Sequence, residues 1–350
     1  MVQSREVHLK SRPVGALAPE NFGLATVDLP SPGEGEALIK NLWMSIDAGQ
    51  RTLMGSGKVD IEDLPVKRFE LGHPMEGQAI GQVIESRDPG LSVGSFVITN
   101  FGWREYAIFK GKEDGFALTK LPNPATPLQA HLHILSVYGA TAYYFVSMCA
   151  KVQAGETVWI STAAGTTGSM ACQMARMSGC KVIGTTGNDA KVHWLSDELG
   201  LDAAFNYRRP DLSEAVKAAC PEGIDVFLDF AGGPQLEVAI DLLKPQGRII
   251  KVGETSTYDG SESVGPRNLF QLVLKRADLL GRSVFDLISQ PVRMEAVQAR
   301  LRQWHAEGRI KVHEAIYEGI ENAGQAQIDL LAGKNIGKVL VKLGEPETFA

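Results

Sequence analysis

Glu156-Thr157-Val158-Trp159-Ile160-Ser161-Thr162-Ala163-Ala164-Gly165-Thr166-Thr167-Gly168-Ser169 reads as an apolar strand, a small-residue turn and the start of a helix, and this order decides the fold. Gly165 lets the turn form. Gly168 permits the backbone to approach a pyrophosphate at the helix N-terminus, where unpaired N–H groups and the helix dipole favour an anion. The pattern departs from G-x-G-x-x-G because Ala163 stands at the first glycine position. Strand–helix turns of this kind also serve packing alone, so the weight rests on what surrounds the turn.

Downstream, apolar strands alternate with helix-length amphipathic segments. KVIGTT is a strand and DAKVHWLSDELG a helix stopped by Gly200; DAAFNY is the third strand, followed by a helix around LSEAVKAAC. IDVFLDFAGG, helix QLEVAIDLLK, RIIKVGE, helix NLFQLVLKRA and strand LLGRSVF complete the series. A six-strand parallel sheet with crossover helices is the expected closure, with ligand at the carboxyl ends of the strands. Upstream, EALIKNLWMSI, GQAIGQVIES, SFVITNF and REYAIFK are short β-like runs broken by Gly and Pro, and predict a mostly-β domain. A long helix, PVRMEAVQARLRQWHAEG, ends at Gly308, and the tail adds helix ENAGQAQIDLLAG and strand GKVLVKL. That last strand is expected to return to the first domain, which gives residues 1–125 with 311–350 as one domain and 126–310 as the dinucleotide-binding domain.

The end of the second strand speaks to cofactor type. An NAD site wants a carboxylate there for the ribose hydroxyls. This chain offers Gly184-Thr185-Thr186-Gly187-Asn188, with no acid before Asp189, then Lys191; the third strand ends in Asn206-Tyr207-Arg208-Arg209. An adenosine 2′-phosphate finds donors at Lys191, Tyr207 and Arg208, which favours NADPH. The alternative is a solvated Lys191 and a Tyr207 that merely ends a strand.

The 350 residues suit two domains, and 44% hydrophobic with 22% charged residues describes a globular protein. A net charge of −6 gives no electrostatic reason to expect nucleic acid or an anionic membrane as partner. No apolar run approaches the roughly 18–20 residues that span a bilayer, and MVQSREVHLKSRP has no signal-peptide apolar core. A cytoplasmic location is the expectation. The cysteines at 149, 172, 180 and 220 form no C-x-x-C pair and are expected as reduced, mostly buried thiols.

Gly72-His73-Pro74-Met75-Glu76-Gly77 is superficially similar to the G-H-E stretch of zinc alcohol dehydrogenases, but Pro74 and Met75 separate His73 from Glu76. Where those enzymes carry a ligand cysteine the chain reads Met44-Ser45-Ile46-Asp47, and the four-cysteine structural lobe is missing. A catalytic zinc needs at least three protein ligands, so no metal is expected and His73 is read as structural.

The stretches MSIDAGQR, GWREYAIF, YGATAYY, AGETVWISTAAGTTGS, GCKVIGTTGND, GIDVFLDFAGG, VGETSTYDG, GPRNLFQLVLKRA and AGKNIGKVLVKL occur in order between residues 44 and 342. Together they resemble the zinc-free medium-chain dehydrogenase/reductases of the leukotriene 12-hydroxydehydrogenase, prostaglandin, 2-alkenal and curcumin reductase branch. The resemblance implies a Rossmann domain beside a GroES-like catalytic domain. It implies that Gly165, Thr166, Thr167 and Gly168 wrap the pyrophosphate and that Lys191 and Tyr207 hold the 2′-phosphate. Val252 to Tyr258, with Gly253, Thr255 and Ser256, are implied to line the nicotinamide ribose, and Asn335 to contact the cofactor. Asp47, Arg51 and Trp103 are candidate pocket residues, with buried packing equally open for Trp103 and for Tyr106.

Three departures limit the transfer. The family's Asp-Pro-Tyr-Met-Arg reads Asp47-Ala48-Gly49-Gln50-Arg51, which removes a pocket tyrosine. Its Asp-Asn-Val-Gly-Gly reads Asp229-Phe230-Ala231-Gly232-Gly233, which loses a polar cofactor contact, and its Gly-Phe reads Gly281-Arg282.

Without a zinc ligand set, carbonyl reduction lacks its usual Lewis acid. Conjugate addition of hydride instead spreads charge into an enolate that hydrogen-bond donors can stabilise. The expected reaction is therefore NADPH-dependent reduction of the C=C bond of an α,β-unsaturated carbonyl. Tyr258 is expected to face the enolate oxygen, the α-proton coming from Tyr258 or water; a Tyr258 that only anchors the ribose is the alternative. An NADPH:quinone reductase and a non-catalytic NADPH-binding protein are the rival functions. The segment Leu279 to Phe285 reads as an apolar sheet edge, which predicts a homodimer.

Overall fold

The apolar runs of the first third of the chain pair as antiparallel strands in the computed structural model, which describes residues 1–55, 66–111, 118–122, 127–258, 261 and 265–349. The domain boundary expected between 125 and 126 lies outside the described residues. Two units form: Met1–Leu132 with Glu314–Ala350, to which Tyr258 also belongs, and His133–Thr257 with Ser261–His313.

In the first unit, β1 (Val2–Leu9) and β2 (Phe22–Leu29) make an antiparallel ribbon. The sequence hides it, because two of the buried positions on β1 are Ser4 and Glu6. Ser4 is at home there: its hydroxyl donates to Tyr106 O (3.2 Å) and accepts the Tyr106 amide (3.1 Å), standing in for ladder bonds. Next come β3 (Ala37–Ile46), α1 (Gln50–Met54), β4 (Ala79–Ser86), β5 (Phe96–Thr99), β6 (Tyr106–Phe109) and the short β7 (Thr119–Lys120).

The second unit opens with α2 (Val137–Tyr143), which runs into a π-helical stretch, Tyr144–Cys149. Its six strands are β8 (Thr157–Ile160), β9 (Lys181–Thr186), β10 (Ala203–Asn206), β11 (Ile224–Asp229), β12 (Leu243–Lys251) and β13 (Asp278–Gly281). They are all parallel, in the order β10-β9-β8-β11-β12-β13. The crossover helices are α3 (Thr166–Met177), α4 (Asp189–Asp197), α5 (Leu212–Ala219), α6 (Pro234–Leu242) and α7 (Phe270–Lys275), with α8 (Phe285–Ile288) and α9 (Pro291–Ala306) following. This is the Rossmann arrangement, and strand order reverses between β8 and β11, where such sheets bind ligand. LLGRSVF is not one strand. It stops at Gly281, and Ser283 Oγ accepts the Phe285 amide (3.3 Å) as the chain turns into α8. Trp159, Phe227 and Ile249 fill the sheet's core without exposure.

The chain then returns to the first unit through β14 (Glu314–Glu318), α10 (Ala323–Leu331) and β15 (Lys338–Lys342). The resulting sheet runs β14-β15-β3-β4-β5-β7, with β6 also paired to β3. At the β15–β3 seam lies Lys338, 1% exposed, its Nζ within 2.5 Å of both Asp47 Oδ1 and Ser45 Oγ. Burial pushes this ammonium below the usual lysine range, against the pull of Asp47. A buried charge is tolerated only when paired and hydrogen-bonded, and Asp47 meets that need from 291 residues away.

Candidate functional site

The turn after β8 is built differently from the simplest expectation. The left-handed residue is Thr162 (φ 48°), whereas Gly165 is extended, with φ −82° and ψ 172°. Gly168 is required for packing. A Cβ there would stand 2.3 Å from Thr162 O and 3.1 Å from Ala163 Cα, so no side chain fits without moving the backbone. Its absence lets the first turn of α3 lie on the end of β8. The first helical bond runs from the Ser169 amide to Gly165 O (2.9 Å), and Gly165, as the N-cap residue, has no side chain to accept from the amides that follow. The Thr167 and Gly168 amides therefore have no intrahelical acceptor and face the end of the helix, where an anion is favoured.

Beside it, at the carboxyl ends of β9 and β10, lie Lys191, Tyr207 and Arg208. Asn188 Oδ1 accepts the Lys191 amide (2.9 Å) and starts α4. The Lys191 side chain is buried at 8% exposure. Burial, reinforced by the Arg208 charge, lowers its pKa to about 8. Among the described residues no carboxylate pairs with Lys191 or Arg208. Asp189 is occupied, accepting from Asn206 Nδ2 (2.9 Å). The Tyr207 ring lies against Gly187, where a Cβ would meet the phenol oxygen at 3.5 Å, and Arg208 stacks 5.8 Å from the ring centre. A buried ammonium beside an exposed second cation, with no counter-anion, is a site that an anion would stabilise.

The ends of β11 and β12 are stitched together by groups that the sequence reading passed over. Asp229, wholly buried, accepts the Ala231 and Gly232 amides at Oδ1 (3.0 and 2.7 Å) and pairs with Lys251 through Oδ2 (2.9 Å). Lys251 also pairs with Glu254. The Thr255 and Ser256 amides donate to Phe230 O and Ala231 O (3.1 and 3.0 Å), while Gly253 runs so near Phe230 O that a Cβ would sit 3.1 Å from it. Tyr258 follows this turn and is half-buried. The Lys251 and Glu254 spacing, one helical turn apart around Val-Gly, was the signal available in the sequence.

In the first unit the pocket candidates are engaged elsewhere. Trp103 has no exposed surface, lies in the core and stacks on Phe22 with ring centres 5.9 Å apart. That is the packing alternative, and it leaves the indole no face for a substrate. The Asp47 carboxylate is held by Lys338 and Ser45, and Arg51 is buried and donates to Gly15 O (2.8 Å). Gly49 is open, with nothing within 4 Å of where a side chain would begin. Asn335 donates from Nδ2 to Tyr317 Oη (3.0 Å), and its Oδ1 is buried without a donor. His73 has an exposed ring 3.9 Å from Glu70; its carbonyl accepts the Leu9 amide (3.2 Å), so its structural part is played by the backbone.

Two features of the second unit fit a dinucleotide with a 2′-phosphate: uncapped amides at a helix end, which favour a pyrophosphate, and an unmatched buried cation, which favours the 2′-phosphate. They do not fit zinc. Met44 spends its sulfur accepting the Trp103 amide, and among the described residues no three His, Cys, Asp or Glu side chains converge.

Comparison with known proteins agrees with the architecture. Residues 5–115 match a family described as the N-terminal domain of oxidoreductase, and residues 166–299 one described as zinc-binding dehydrogenase. Prostaglandin reductase 1 of Bos taurus is 35% identical, spanning 98% of this chain and 100% of that protein. The NADP-dependent 2-alkenal reductase of Nicotiana tabacum is 34% identical over 97% of each chain. The crystal structure of CurA from Vibrio vulnificus in complex with NADPH superposes with a TM-score of 0.89 at 32% identity, covering 98% of this chain and 100% of that one. No described helix is long and apolar enough to cross a membrane. The chain belongs to the branch of the medium-chain dehydrogenase/reductases that contains the prostaglandin, 2-alkenal and curcumin reductases.

Proposed function

We propose that this chain is an NADPH-dependent reductase of the carbon–carbon double bond of α,β-unsaturated aldehydes or ketones. The observation that carries the cofactor assignment is Lys191: a buried ammonium, repelled by Arg208 and lacking a carboxylate, is the complement of a 2′-phosphate. The names of the similar proteins, reductases of 2-alkenals, prostaglandins and curcumin, support the substrate class.

Residues Gly165 to Gly168 would hold the pyrophosphate through backbone amides, Lys191 and Tyr207 the 2′-phosphate, and Gly253, Thr255 and Ser256 the nicotinamide ribose. NADPH bound there supplies the hydride that adds to the β-carbon. The task left to the protein is to stabilise negative charge growing on the carbonyl oxygen and to manage the α-proton. Tyr258, directly after the turn that follows β12, is the donor assigned to that oxygen. The absence of a side chain at Gly49 leaves room in the Asp47–Arg51 segment for a bulky substrate.

A homodimer belongs to the same proposal. Strand β13 ends the parallel sheet with one edge unpaired, and on α7 Phe270 and Val273 are 69% and 66% exposed. Edges and apolar patches of this kind are normally covered, and a second copy covers both through a twofold axis.

Four measurements test these assignments. Lys191→Ala should weaken NADPH binding roughly tenfold to hundredfold, the scale of a charge-assisted hydrogen bond, and leave NADH unaffected. The lowered pKa sets the sign of the pH effect. Lys191 is charged below about 8 and neutral above it, so the preference of the wild type for NADPH over NADH should fall as pH rises through 8. A preference that is flat with pH, or untouched by the mutation, refutes the assignment. Tyr258→Phe should lower kcat about a hundredfold with NADPH affinity retained. Weaker cofactor binding with kcat kept at saturation would instead make Tyr258 a ribose anchor. Light scattering at micromolar concentration should give the mass of two chains; the mass of one chain contradicts the dimer.

A further inference from the structure

An α,β-unsaturated aldehyde is an electrophile as well as a hydride acceptor, and an unprotonated thiol or amine of the protein can add to it. The thiols are withheld. Cys172, Cys180 and Cys220 are buried and Cys149 is half-buried. Burial raises the pKa of all four, that of Cys180 to about 11. The reacting form is the thiolate, so these groups stay inert near neutral pH. Cys180 Sγ also donates to Gln153 O (3.2 Å), and Cys220 Sγ to Val216 O (2.9 Å).

The amines divide differently. Burial lowers the pKa of Lys338 and Lys275 as well, but both are tied to acceptors. Lys338 is held by Asp47 and Ser45, and Lys275 Nζ donates to Ile240 O (2.9 Å) and Asp241 O (2.5 Å). Lys191 has no such acceptor among the described residues. Asp189 is engaged by Asn206, and the charge beside Lys191 is that of the exposed Arg208. The side chain is enclosed but not sealed, at 8% exposure. With a pKa near 8, roughly a quarter of this amine is neutral at pH 7.5, against about one part in a thousand for an ordinary lysine. A desolvated lysine beside a second cation is a general form of nucleophilic amine.

We propose that Lys191 is a site of covalent modification by α,β-unsaturated aldehydes in the cofactor-free protein, and that bound NADPH shields it. The inference rests on the reductase reading given above. The Lys191 amine attacks the β-carbon, the atom that receives hydride in the reductase reaction. One N–C bond forms as the C=C π bond breaks. The electron pair passes into an enolate, and the proton released by nitrogen ends on the α-carbon. The aldehyde group survives, and the adduct carries the whole mass of the reagent.

Cofactor-free protein is treated with 2-hexenal, and adducts are mapped over time by peptide mass spectrometry. At pH 7.5 Lys191 should be labelled about tenfold faster than the exposed Lys10 and Lys217, since the lower nucleophilicity of a weaker base offsets part of its larger neutral fraction. The rate at Lys191 should level off above pH 8. Saturating 2′,5′-ADP, which carries the 2′-phosphate, should abolish labelling there and leave Lys10 and Lys217 unchanged. Lys191 labelled no faster than those two, in protein that binds 2′,5′-ADP by calorimetry, overturns the inference and leaves the cofactor assignment standing. Fast labelling that 2′,5′-ADP does not slow overturns the shielding and the placing of the 2′-phosphate at Lys191 together. An adduct lighter by one water is an imine at the aldehyde carbon and overturns the conjugate addition.

Discussion

At position 168 the first turn of α3 passes so close to the preceding turn that one added methyl group would meet the Thr162 carbonyl oxygen at 2.3 Å. The nucleotide-binding half is arranged around that contact. It brings the helix end onto the end of β8, the strand beside which the sheet order reverses. It also directs uncapped amides toward the space beyond the strand ends, an arrangement that favours an anion there. The neighbouring strand ends are braced to match. Ser161 Oγ accepts the Phe230 and Ala231 amides (2.8 and 3.2 Å), and Asp229 gathers the amides that follow and the Lys251 ammonium.

Two buried lysines show how charge divides between fold and function. Lys338 is matched on the spot by Asp47 and Ser45, and its pairing closes a seam between distant parts of the chain. Such a pair fixes geometry more than it adds stability. Lys191 is also buried but faces Arg208 instead of an acid, and burial, reinforced by that second charge, loosens its hold on the proton. The folded protein keeps the cost of that unmatched charge, which is the condition under which a phosphate binds with most gain.

Much of the second unit was legible because its strands are continuous apolar runs ended by small residues. KVIGTT became β9 without change, and Gly200 and Gly308 do take left-handed conformations after their helices. That the segments carrying Lys191 and Tyr207 lie side by side was legible from spacing, since the ends of adjacent parallel strands must be neighbours. What stayed hidden depended on distant partners. Ser4 and Glu6 mask β1, since Ser4 is received by the distant backbone of Tyr106 and Glu6 by the His8 ring two residues along the strand. Whether Trp103 lined a pocket or filled a core turned on Phe22, and whether Asp47 was available turned on Lys338. The Tyr317–Asp329 contact has no motif, only two polar residues brought together by the packing of α10 on its sheet.

The central claim is that this scaffold directs hydride to the carbon β to a carbonyl and leaves the carbonyl intact. The most direct measurement is NMR of the product formed from a simple conjugated enone and NADPH deuterated at the transferring C4 position. The account predicts a saturated ketone with deuterium at the β-carbon alone. Deuterium on a carbinol carbon, with the double bond retained, would contradict it.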